Sequence, residues 1–178
     1  MANKVILNGK SRIGVCNALD KVLIDNRVPN ACNNIVTLIE ILSNAGITVF
    51  GNSKIGQISE LVSVVNEEDI LGIEFLSKKI YLQLVNGTSE AVELINKFSG
   101  GHSAVIITSD KKEAERFMKD VDCAAVYHNA STRFTDGGEF GMGAEMAVST
   151  QKLHFRGPVG VSQLVTNKWF IIGNGQTR

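Results

Sequence analysis

From Thr88 to Asn129 the sequence switches between helical and strand-like periods without interruption, and no other feature restricts the fold as strongly. TSEAVELINKFSGG places Val92, Leu94, Ile95 and Phe98 on the apolar side of a helix, with Thr88 or Ser89 as candidate amino-terminal caps and two glycines as a stop. SAVIIT reads as a buried strand, SDKKEAERFMKDV as a helix with capping-box spacing at Asp110 and Glu113, and CAAVYHN as the next strand. Strands joined through helices need right-handed crossovers, so the expected class is α/β with a parallel-rich sheet and flanking helices. In such sheets the loops at the carboxyl ends of the strands build the site.

Upstream the pattern is less regular. NKVIL is a short strand candidate, and GVCNALDKVLID reads as a helix running into a strand. PNACNNIVTLIEILSNAG sets Ile35, Leu38, Ile39 and Leu42 on one helical face, with Pro29 suited to the first turn and Gly46 to the end. ITVF and KIYLQLV are further strand candidates.

Composition narrows the function classes. With 178 residues, 44% of them hydrophobic and 20% charged, the chain can bury one real core. Eighteen basic residues balance eighteen acidic ones, so no net field draws it to nucleic acid or to an anionic membrane. MANKVILNGK has three consecutive apolar residues, too few for a secretory leader, and no later run approaches a membrane span, so a cytoplasmic protein is expected. Cys16, Cys32 and Cys123 form no C-x-x-C pair, and neither a disulfide framework nor a metal site is expected.

Two stretches ask for chemistry. NASTRFTDGGEFGMGAE, Asn129 to Glu145, is too polar and glycine-rich for a core strand, and reads as a loop whose backbone a partner approaches closely. Its Arg133 suits a carboxylate or phosphate, and equally suits tying the loop down. In GKSRIGVCNALDKV, Cys16 follows Gly14 at what reads as a helix start, where free amides favour the thiolate. The residues alone favour the other reading, a small buried hydrophobe. Cys32 and Cys123 fall on apolar faces and read as core. His102, His128 and His154 each lack a fixed partner, so a protease-like Cys–His dyad is not expected.

GVCNA, GHSAVIIT, VYHNASTRFTDGGEFGMGAEMAVSTQKLHFRGPVG and WFIIGNGQTR resemble the gamma-glutamyl phosphate reductase (glutamate-5-semialdehyde dehydrogenase) family of the aldehyde dehydrogenase superfamily, over nearly the whole chain. The resemblance implies a C-terminal half of that fold and makes Cys16 the nucleophile. Its thiolate attacks the acyl carbon of gamma-glutamyl phosphate, and NADPH reduces the resulting thioester to the semialdehyde of proline biosynthesis. Ser131, Thr132 and Arg133 would bind the anionic substrate, and Glu74 with Phe75 the nicotinamide ribose. Residues 1–136 would form the catalytic domain, 137–160 a return to a cofactor domain, and 161–178 an oligomerisation extension containing the strand KWFII.

The glycine-rich turn that seats a pyrophosphate is missing from the sequence, so the chain alone is not expected to bind NADPH. A separate chain carrying the N-terminal half and a homo-oligomer are the expected partners. A non-catalytic remnant or binding module is the alternative. Three positions depart from the family pattern: the segment before Cys16 is one residue shorter, which would shift the thiol; Phe155 replaces an alanine; and His128 replaces an aliphatic residue.

Overall fold

A computed structural model describes residues 1–178. The chain begins with a helix, α1 (Ala2–Gly9), followed by strand β1 (Lys21–Asp25), helix α2 (Ala31–Asn44) and strand β2 (Thr48–Gly51). A single-turn helix α3 (Ser53–Gly56), strand β3 (Val62–Val64), a single-turn helix α4 (Glu67–Ile70) and strand β4 (Lys79–Val85) come next. The regular alternation then unfolds as expected: α5 (Thr88–Phe98), β5 (Ser103–Ile106), α6 (Lys111–Asp120) and β6 (Ala125–His128).

Strands β1, β4, β2 and β3 lie side by side in that order, all parallel, with Lys21 opposite Tyr81 and Val49 opposite Ile80. The strand β4 is central, and its near-continuous apolar run KIYLQLV is what burial on both faces demands. Helix α2 supplies the other half of the core: Ile35, Leu38, Ile39 and Leu42 pack with Val49, Ile80 and Leu82. Its end is a Schellman motif, in which Gly46 takes φ +71° and donates its N–H to Ser43 O, while Ile47 N–H reaches Leu42 O at 3.0 Å. Leu42 and Ile47 then share the core, so the motif joins helix and sheet.

The remaining strands stand apart. A parallel pair, β5 with β6, forms its own sheet around Ala104, Phe117, Val121 and Cys123. A hairpin of β7 (Ala147–Ser149) and β8 (Gly157–Val159) follows, antiparallel and unforeseen from the sequence. Asp110 caps α6 by accepting from the amides of Lys112 and Glu113, but the capping box suggested by the spacing is not closed, since the Asp110 N–H goes to Thr108 Oγ1.

Several expectations need correcting. NKVIL is helical, because three adjacent apolar residues do not distinguish a helix from a strand, and Ile6 gains its burial against α2 only from a helix. No helix runs through GVCNALDKVLID; residues 11–18 turn back before β1. Pro29 precedes α2 rather than entering it, and α5 starts after Gly87 with neither Thr88 nor Ser89 capping it. KWFII forms no strand: Trp169, Phe170, Ile171 and Ile172 are 80–98% exposed, with no edge beside them to pair with. No helix is long and apolar enough to cross a membrane.

Candidate active site

Cys16 sits at the tip of a loop that is closed at its base. Leu19 N–H donates to Gly9 O at 2.8 Å, and one residue further along each arm Lys10 Nζ meets Asp20 Oδ1 at 2.8 Å. The lysine side chain is wholly buried and the aspartate nearly so, so this ion pair is screened far less than a surface one. Within the loop, Gly14 holds φ +74° and Ala18 N–H closes a tight turn onto Val15 O at 3.0 Å. These constraints present Cys16 outward; it is exposed.

Asp20 also reaches a second segment. Its Oδ2 accepts the Phe75 N–H at 2.9 Å, and Lys21 Nζ lies 4.1 Å above the Phe75 ring and donates to Ile73 O. One aspartate therefore fixes both the base of the cysteine loop and the loop bearing Glu74. Cys16 precedes β1 and Glu74 precedes β4, so the pair lies on the amino-terminal side of parallel neighbours. The expectation that carboxyl-end loops would build the site is corrected for these two residues.

Asn17 is the hub the sequence did not reveal. Its Nδ2 donates to Thr135 O at 2.9 Å and to Arg133 O at 3.3 Å, its Oδ1 accepts from Arg133 Nη1, and its carbonyl accepts from Thr132 Oγ1 at 2.9 Å. The NASTRF loop is thereby bound to the residue beside Cys16. Ser131 and Thr132 are buried, and Ser131 Oγ accepts the Arg133 N–H at 3.3 Å. In this state Thr132 and Arg133 both bond to Asn17. Only the glycine-flanked GVCNA motif hinted at Asn17, because its partners lie 115 to 118 residues away.

A cavity of about 880 Å³ opens beside the loop, lined by Cys16, Asn17, Glu74, His102 and Thr132 among others. His102 Nδ1 pairs with Ser103 Oγ at 2.6 Å, and its Nε2 has no partner. Burial pushes the His102 pKa down against the opposing pull of Glu74 and Glu145, so the ring rests neutral. Partial desolvation of the sulfur, even though the residue is exposed, also raises the Cys16 thiol above its ordinary value, and Glu145 and Glu74 add to the rise. The expected thiolate-favouring helix start is absent: the helical position belongs to Cys32, exposed in the first turn of α2, which corrects its assignment to the core. Cys123 is buried as expected.

Limiting iodoacetamide should therefore modify Cys32 before Cys16 and Cys123 last. Glu145→Gln, which keeps an acceptor for the Gly137 N–H, should speed Cys16 alkylation at least about twofold near neutral pH by removing a negative charge. Peptide mapping over time checks both; an unchanged Cys16 rate in the variant would remove Glu145 from its surroundings.

The other histidines serve structure or solvent. His128 Nε2 lies 2.9 Å from Thr108 O, beside the Asn129 side chain that brackets the same residue, and His154 is exposed. No cluster of three or more histidine, cysteine or acidic side chains could hold a metal ion.

The profile of the aldehyde dehydrogenase family matches residues 63–152. The gamma-glutamyl phosphate reductases of Clostridium botulinum (strain Eklund 17B) and Gloeobacter violaceus are each 45% identical over the whole of this chain, which spans 42% of their length. The crystal structure of gamma-glutamyl phosphate reductase from Thermotoga maritima superposes on 99% of the chain with a TM-score of 0.91 and 41% identity, over 42% of its own chain. An acetylating aldehyde dehydrogenase from Geobacillus thermoglucosidasius shares the fold at 18% identity, with a TM-score of 0.64 over 97% of the chain.

Proposed function

Since the chain belongs to the aldehyde dehydrogenase family, we propose that it is the cysteine-bearing, C-terminal part of a gamma-glutamyl phosphate reductase, working in the cytoplasm on the path to proline. The observation that carries this reading is the outward Cys16, held in a clamped loop beside a cavity that Glu74 also lines. Residues 1–136 act as the catalytic domain, 137–160 lead toward a cofactor domain, and 161–178 serve assembly.

Cys16 Sγ attacks the acyl carbon of gamma-glutamyl phosphate. The C–S bond forms as the C–O bond to phosphate breaks, and phosphate leaves with the bonding pair. Neutral His102, in the same cavity with Nε2 free, is suited to take the thiol proton. An acyl phosphate carries its own good leaving group, so a thiol with a raised pKa needs only this modest help. Ser131, Thr132 and Arg133 hold the anionic substrate once Arg133 turns from Asn17 toward it.

NADPH, held mainly by a separate chain, would supply the hydride that reduces the thioester. Of its two ends, the nicotinamide ribose finds suitable groups here in the Glu74 carboxylate and the half-buried Phe75. The chain alone does not bind it.

The test is reconstitution. Mixing this chain with the part of the C. botulinum enzyme that it does not span should restore phosphate-dependent NADP reduction from glutamate 5-semialdehyde. A folded mixture with no activity would favour the second reading, a non-catalytic remnant or binding module, to which the raised Cys16 pKa lends its only support.

The exposed strip from Trp169 to Ile172 fits a homo-oligomer contact. Apolar area removed from water is worth about 25 cal/mol per Å², and an unpaired hydrophobic segment seeks another. Light scattering should find a dimer or larger species that Ile171→Lys shifts toward monomer; a monomer at every concentration would end this part of the proposal.

A further inference from the structure

The cavity beside Cys16 continues as a slot between two strand edges that face each other without pairing. Every residue of β1 and every residue of β5 lines it, yet the two strands belong to separate sheets. Tyr81 N–H donates to Asp20 O, and Asn26 N–H to Val85 O. In a parallel ladder alternate residues bond to the same neighbour, so Val22 and Ile24 also turn toward β4, leaving Lys21 and Leu23 turned into the slot. The same alternation applies across the way. Ala125 N–H reaches His102 O and Asn129 N–H reaches Ile106 O, so Ser103 and Val105 present their backbone groups to the slot.

All four of these residues are half-buried, and their N–H and C=O groups have no protein partner. Half-buried backbone groups left this way cost free energy that a neighbouring strand would recover. The walls are apolar: α1 contributes Val5 and Ile6, and α5 contributes Leu94 and Ile95. The crossover α5 already carries the chain from β4 past β1 to β5, as though over an intervening position.

We propose that the slot accepts one extended strand of about five residues, joining the two sheets into a single seven-stranded sheet. The occupant is an apolar segment from the polypeptide that makes up the rest of the relatives' length, which this chain does not span. Helices lining the slot select a near-continuous apolar run, as in other strands covered by helices. The spacing of the edges supports an occupant from that source: 99% of this chain superposes on less than half of the T. maritima chain, so the two sheets keep the arrangement they have beside the additional polypeptide. This inference rests on the reading that another chain completes the enzyme, and it assigns the contact through which the two are held.

Amide hydrogen exchange tests it without recourse to catalysis. The probe is the part of the C. botulinum reductase that this chain does not span, expressed separately. On mixing, the amides of Lys21, Leu23, Ser103 and Val105 should slow by at least about 100-fold. Leu23→Pro removes an N–H aimed into the slot while leaving those given to β4, and Val105→Pro does the same on the opposite edge. Each should weaken probe binding at least about tenfold with an unchanged circular dichroism spectrum.

The slot is refuted by any of three results: a complex that forms without protecting these amides; slow exchange in the chain alone, meaning that β1 and β5 have closed directly on each other; or protection rising with concentration of this chain alone, meaning that a second copy fills it. Restored activity without protection would sink the slot and leave the functional reading standing. Protection without activity would do the reverse.

Discussion

In the reconstituted enzyme, Cys16→Ser lowers turnover by more than about 1,000-fold while the complex still assembles. A serine hydroxyl at its free pKa is a far weaker nucleophile than a thiol, and the modest help assigned to His102 cannot make up that difference, while the nearby charges, Glu74 and Glu145, are negative. The pH profile carries a second expectation. Because burial and these carboxylates raise the thiol pKa, the rate of acyl transfer should still be rising with pH through the ordinary thiol range. Initial rates across alkaline pH, with assembly followed by gel filtration, check both. If Cys16→Ser retained a tenth of the activity, another group would have to be the nucleophile.

The second large effect is on stability. Lys10→Met leaves Asp20 with its charge in place, one oxygen still held by Phe75 N–H and the other stripped of its cation. Removing one partner of a buried pair typically costs about 3–5 kcal/mol, and the 16% exposure of Asp20 places this case at the low end. A loss of about 3 kcal/mol should lower the melting temperature by roughly 6–12 °C in a chain of this size. Lys10→Met combined with Asp20→Leu should recover part of the loss, since an apolar pair of similar volume carries no unpaired charge. Urea unfolding of the two variants decides it; a Lys10→Met loss below about 1 kcal/mol would show that the pair is no more than a surface contact.

The sequence announced the elements that have length and period. Helices α2 and α6 were legible because Ile35, Leu38, Ile39 and Leu42 repeat at helical spacing and Asp110 caps in the expected way. Strand β4 was legible because KIYLQLV, apolar apart from Lys79 and Gln83, is the near-continuous run of a strand covered on both faces. Helix α1 was not, since its identity depends on what Ile6 touches rather than on its neighbours. The division of the strands into two sheets was also out of reach. Alternation predicts that strands are parallel; it is silent on which edges meet.

The site divides in the same way. Cys16 stood out through its glycine-flanked position, and the resemblance carried Glu74 and the NASTRF residues. Lys10 and Asp20 left no mark and Asn17 only its place in GVCNA, because each acquires its meaning from a partner reached only by folding: ten residues away across a turn for the ion pair, 55 for Asp20 with Phe75, and more than a hundred for Asn17. His102 was set aside for want of a partner, yet it lines the same cavity as the thiol.

The clamped base of the cysteine loop also bears on how such a sequence can drift. The alignments with the relatives run to 179 positions against 178 residues, one gap, and the resemblance places a missing residue just before Cys16. Residues 11–14 are exposed and lie inside the closure made at Gly9–Leu19 and Lys10–Asp20. Shortening a closed loop by one residue changes its closure entropy by only about a tenth of a kcal/mol. A deletion there is therefore taken up by the exposed arm, while Asn17 and the clamp keep the thiol in register. Insertions and deletions between residues 11 and 14 should be the cheapest length changes the cysteine loop can accept, and descendants differing there can keep the same chemistry.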